Sequence, residues 1–85
     1  MDWEIYAWIK RGKRRKEVLR LLSESNLPLT AKDLKTQLKI SLSQVSFILK
    51  ELSRKEIILC LNPEDKIGRL YKIRDKYKKI ILEMK

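Results

Sequence analysis

The chain has 85 residues and a formal net charge of +10, from 21 basic and 11 acidic side chains, with one cysteine and no histidine. That length predicts one domain, at the low end for a self-sufficient core, and the composition excludes reinforcement by disulfides or common zinc sites. Hydrophobic residues make up 44%, which argues against disorder despite 38% charged residues; no apolar run approaches the roughly 18 residues of a membrane span.

The start, Met-Asp-Trp-Glu, lacks the basic and apolar regions of a signal peptide, so a cytoplasmic protein is expected. The lone Cys60 lies in the apolar run Ile57–Leu61 and reads as a reduced, buried thiol. The charge is blocked rather than spread. Residues 10–20 and residues 66–79 each carry seven basic side chains and one acid, while residues 21–65 carry six of each. Two basic blocks around a neutral centre imply two contact zones for a polyanion.

Residues 1–12 form an aromatic and basic extension. Asp2 is placed to cap a helix, and Trp3, Tyr6 and Trp8 cannot share one helix face, so part of the segment must be exposed or find a partner. Gly12 marks a break or hinge inside the basic run. The core then runs from 13 to 74. Its first helix, 13–25, has a stripe at Val18, Leu19, Leu21 and Leu22. Lys13, Arg14 and Arg15 at its start oppose the helix dipole, which favours a role in phosphate contact. Residues 23–28 form a loop, and Thr30 caps a short helix over 31–38, with Leu34 and Leu38 inward and Lys32 and Lys35 solvated.

Ser41 is the N-cap of the next helix, Leu42 to Lys55, whose stripe Val45, Ile48, Leu49 and Leu52 falls at i, i+3, i+4 and i+7. Two short helices joined by a tight turn make a helix-turn-helix. The second would lie in a major groove with Leu42, Ser43, Gln44, Ser46, Phe47 and Lys50 outward. Gln44 suits adenine, Ser43 and Ser46 suit base edges or phosphates, Lys50 suits phosphate or guanine, and Leu42 and Phe47 suit thymine methyls. No arginine stands among these outward positions.

Ile57–Leu61 and Arg69–Arg74 read as two strands of a hairpin around the turn residues Asn62–Gly68. Residues 75–85 form a final amphipathic helix, capped by Asp75, with Tyr77, Ile80, Ile81 and Met84 on one face. The fold class expected is therefore mainly α with a small β-hairpin. With no histidine, no glycine-rich phosphate loop and no carboxylate cluster, an enzyme is not expected, and no cofactor or metal is assigned.

The stretch Leu29–Leu52, the exit Lys55-Glu56-Ile57-Ile58 and the hairpin Leu61-Asn62-Pro63 with Gly68–Ile73 resemble winged-helix transcriptional regulators of the MarR and ArsR type, the hairpin being similar to the wing of small archaeal members. The resemblance covers nearly the whole chain. It implies a dimer on double-stranded DNA, with groove contacts from Ser41, Leu42, Ser43, Gln44, Ser46, Phe47 and Lys50 and wing contacts from Lys66 and Arg69. The terminal segments are the natural dimer contacts, and no membrane or metal partner is expected. The family's motif turn usually holds glycine; here it is Lys39, which suggests a slightly different turn. The apolar Leu42 and Phe47 leave a protein-interaction module open as an alternative, and the charge outside the reading helix leaves non-specific nucleic-acid binding open as another.

Overall fold

Breaks in the apolar spacing at Gly12, Pro28 and Lys39–Ile40 divide the chain into its elements. In the computed structural model, which describes residues 3–84, α1 spans Trp3–Arg11, α2 Lys13–Glu24, α3 Ala31–Leu38, α4 Leu42–Arg54 and α5 Asp75–Glu83. Strand β1 is Leu29–Thr30, β2 is Ile58–Cys60 and β3 is Leu70–Ile73. The expected class, mainly helical with a small hairpin and helical segments at both ends, is the observed one. The cap expected at Asp2 lies outside the described residues.

Helix α2 is the packing centre. Val18, Leu19 and Leu22 are buried, and α1, α3, α4, α5 and β3 all rest against this helix. Leu34 of α3, the α4 stripe Val45, Ile48, Leu49 and Leu52, and Tyr77 and Ile81 of α5 complete one core with Ile9, Ile57, Ile58 and Ile73. Full burial of a leucine or isoleucine side chain contributes about 1.5–3 kcal/mol. Four such residues on α4 therefore fix which face of that helix turns outward.

Local hydrogen bonds set the helix ends. Thr30 Oγ1 accepts from the Asp33 N–H at 3.1 Å, and Asp33 Oδ2 accepts from the Thr30 N–H at 3.0 Å. That backbone bond, with the Thr30 hydroxyl second, holds the Asp33 carboxyl below its ordinary pKa. Ser41 and Gln44 form the same reciprocal box at the start of α4, at 3.1 and 3.2 Å. Helix α4 ends in a Schellman motif: the Ile57 N–H donates to the Leu52 carbonyl and the Glu56 N–H to that of Ser53, both at 3.0 Å. Leu52 and Ile57 are both fully buried there, supplying the apolar contact such ends favour.

Several expectations are corrected. The turn between α3 and α4 keeps the usual left-handed geometry, because Lys39 itself takes φ 57°, ψ 42°. The loop before α3 is not wholly irregular: Leu29 and Thr30 form β1, which pairs with Tyr71 and Leu70. The sheet thus has three antiparallel strands in the order β1-β3-β2. Asp75 is not the cap of α5. Arg74 occupies that position with no side-chain cap, since β3 runs straight into the helix and the Arg74 N–H donates to the Ile57 carbonyl at 3.0 Å. Gly12 does mark a break, but not a loose one, because Arg15 reaches back to bond α1. Cys60 is only half-buried, standing where β2 leaves the core.

Lys39 and Glu56, at φ 57° and φ 60°, hold non-glycine side chains in the left-handed region. Relief of that strain outweighs glycine's extra chain entropy by roughly 0.5–1 kcal/mol. Lys39→Gly and Glu56→Gly are each expected to raise stability by about this amount in urea denaturation.

Candidate nucleic-acid interface

With its stripe buried, α4 presents Leu42, Ser43, Gln44, Ser46, Phe47 and Lys50 to solvent, with Ser41 exposed at its cap. Every residue expected to face a groove from this helix is on the surface. Leu42 is 50% exposed and Phe47 55%. Gln44 is exposed but not idle, because its Oε1 accepts from the Ser41 N–H in the capping box and lies 3.4 Å from the Ser41 hydroxyl. Pairing with adenine needs both amide atoms of a glutamine, so Gln44 would have to give up this cap to act as the sequence suggests.

The loop after β2 is braced by one side chain. Asn62 Oδ1 accepts the Leu70 N–H at 2.7 Å and the Cys60 thiol at 3.7 Å, while its Nδ2 donates to Asp65 Oδ2 at 2.8 Å and to the Gly68 carbonyl at 3.2 Å. Gly68 supplies the left-handed turn at φ 72°. The Arg69 Nε donates to the Asp65 carbonyl at 2.6 Å, which steadies the guanidinium and leaves its terminal nitrogens for an anion. Ile67 at the tip is 92% exposed between these basic residues.

An open groove of roughly 890 Å³ runs between α4, the start of α3 and this loop. It brings together Leu42, Ser46 and Lys50 from α4 with Lys66 and Arg69 from the loop. Lys32 joins them from α3, so four cations and no acid line the groove. Lys32 was expected to be merely solvated. Only the β1–β3 pairing brings the start of α3 beside the loop, and a two-residue strand carries no periodicity to announce it. Ser41, Ser43, Gln44 and Phe47 lie outside the groove lining, on the exposed remainder of α4.

The basic start of α2 lies elsewhere. Arg15 stacks on Trp8, its guanidinium carbon 4.0 Å from the ring centre, and donates to the Trp8 carbonyl at 2.6 Å. Lys55, just after α4, approaches the same ring at 4.8 Å. Lys13–Arg15 therefore sit toward the C-terminal end of α4, about 20 Å by helix rise from Leu42. Arg14 pairs with Glu17 at 3.1 Å, and Lys13 is exposed. Of these three, Arg15 has a structural partner that composition alone does not reveal.

The same overall fold occurs in solved structures. The chain superposes on the adhesin competence repressor (AdcR) of Streptococcus pyogenes with a TM-score of 0.71 and 24% identity, over 85% of this chain and 52% of that one. A C-terminally His-tagged form of that repressor gives 0.72 and 24%, over 86% and 54%. The fold is a winged helix. ZitR of Lactococcus lactis, as a point mutant, matches with a TM-score of 0.70 and 26% identity, over 84% of this chain and 48% of that one. The winged helix here spans about half the length of these proteins, and their bacterial sources do not support the archaeal likeness expected from the wing. No protein-family model matches the chain, and no curated protein does.

Among the described residues, no group of three or more cysteine or acidic side chains is placed to hold a metal ion. No helix among them is long and apolar enough to cross a membrane. The wing's order rests on Asn62. Asn62→Ala removes hydrogen bonds whose net worth is about 0.5–1.5 kcal/mol each, and some are solvent-exposed. Amide hydrogen exchange is expected to show lost protection at Leu70 while the amides of α4 stay protected.

Proposed function

We propose that this winged helix binds double-stranded DNA and serves as a transcriptional regulator. Helix α4 enters a major groove, and the wing lies along the adjacent backbone. One observation carries the reading: the groove between α4 and the wing is lined by Lys32, Lys50, Lys66 and Arg69 and by no acid. A cleft of one charge sign, floored by apolar side chains, attracts a polyanion. The winged-helix likeness to the adhesin competence repressor AdcR supports the regulatory role. On this reading Lys13 and Arg14 meet phosphates beyond the far end of α4, and Ser41, Ser43 and Ser46 hydrogen-bond phosphates or base edges.

With about five phosphates neutralised per protomer, log affinity is expected to fall with log salt at a slope of about −4 to −5. Gel-shift titration on duplex DNA measures it. Lys66→Ala or Arg69→Ala lowers the slope by about one unit each. Binding independent of salt, or none at low salt, sinks the reading.

We also propose a homodimer through the terminal helices. Trp3 on α1 is 70% exposed and Leu82 on α5 is exposed, although both helices are anchored on α2. Sedimentation equilibrium is expected to give twice the 10.2 kDa chain mass, and the double variant Trp3→Glu, Leu82→Glu is expected to sediment as a monomer.

A further inference from the structure

The outward face of α4 is poor in polar readers. Gln44 is tied into the capping box by the oxygen it would need for adenine. Arg54, the arginine of this helix, stands at its last position, and Lys50 lies in the cationic groove beside the wing. The large side chains left toward a base-pair edge are Leu42 and Phe47, both about half exposed and flanking the small Ser43 and Ser46. Five residues of helix separate them by about 140° around the axis and about 7.5 Å along it.

We propose that Leu42 and Phe47 read the C5-methyl groups of thymine, so that the substrate class is duplex DNA with A·T pairs presented to α4. The inference rests on the DNA-binding reading above and goes further by saying what is recognised. The thymine methyl is the one apolar group on the major-groove edges of the four base pairs. Two uncovered apolar side chains beside a groove with four cations match a surface that is anionic along its backbone and apolar at selected base edges. RNA shares the anionic backbone but not the apolar base edge, since uracil lacks the methyl and the A-form major groove is too narrow for a side chain to read.

Fluorescence anisotropy of the full chain tests this, using one labelled A·T-rich duplex and its copy with deoxyuridine in place of thymidine. Each methyl is about one buried methylene, so its loss is expected to weaken binding about fourfold, and loss of both more than tenfold. Methylating the cytosines of a G·C duplex at C5 is expected to strengthen binding by a similar factor. Leu42→Ala and Phe47→Ala, on the exposed face where folding does not depend on them, should each move the thymidine-to-deoxyuridine ratio toward one. Equal affinity for the two duplexes, with the salt dependence intact, overturns methyl readout and leaves DNA binding standing. No binding to any duplex at low salt overturns both.

Discussion

Strand β3 is the element through which the parts of the interface are held in relation to one another. It lies between β1 and β2, with Thr30 opposite Leu70, Leu29 opposite Tyr71 and Ile58 opposite Ile73. The first pairing fixes the start of α3 beside the root of the wing. The last fixes the exit of α4 beside the strand that returns from the wing. The Leu70 N–H also donates to Asn62, so the brace of the wing is anchored in the same strand. Ile73 then enters the core with α2 behind it. Four residues thus set the distance between two helices and a loop that are far apart in the chain.

That arrangement explains how a helix with little charge can sit in a strongly cationic setting. Between residues 21 and 65 acids and bases balance, and α4 carries Lys50 and Arg54 against Glu51. The positive field is assembled by topology, from Lys32 on one side and Lys66 and Arg69 on the other. The acids of the wing, Glu64 and Asp65, lie outside the lining of that groove. Asp65 is turned into hydrogen bonds with Asn62, and its backbone carbonyl steadies Arg69. On the proposed DNA-binding reading, charge placed on the flanks would bind backbone without dictating sequence and leave discrimination to the uncharged face of α4.

Much of this was legible in the residues because it is local. A threonine or serine three positions before an acid or amide marks a helix start, and the i, i+3, i+4, i+7 stripe of α4 marks its buried face; both follow from bonds and burial within a few residues. The exposure of all six outward positions on α4 follows from the same stripe. What was not legible depends on partners distant in sequence or on backbone state. Two residues make too short a strand to show alternation, so Leu29 and Thr30 carry no strand signal beside the cap at Thr30, and Lys32 reads as an ordinary surface lysine. Lys39 resembles no helix terminator, yet the reward of capping α4 and burying its stripe holds it left-handed. Gln44 serves its own helix start with the atom that would face a base. Arg15 belongs to a basic run in sequence and to an indole ring in space.

The contact at Trp8 has a bearing on where this fold can be cut. Two cations, Arg15 and Lys55, approach its ring, and its carbonyl accepts from the first. The next residue, Ile9, is buried in the common core. A fragment starting at Lys13 would therefore not shed a loose leader. It would open a hole beside α2, strip an acceptor from a half-buried guanidinium, and take from both Arg15 and Lys55 the aromatic ring they rest on. The smallest piece of this chain that keeps the end of α4 in place has to begin before α1.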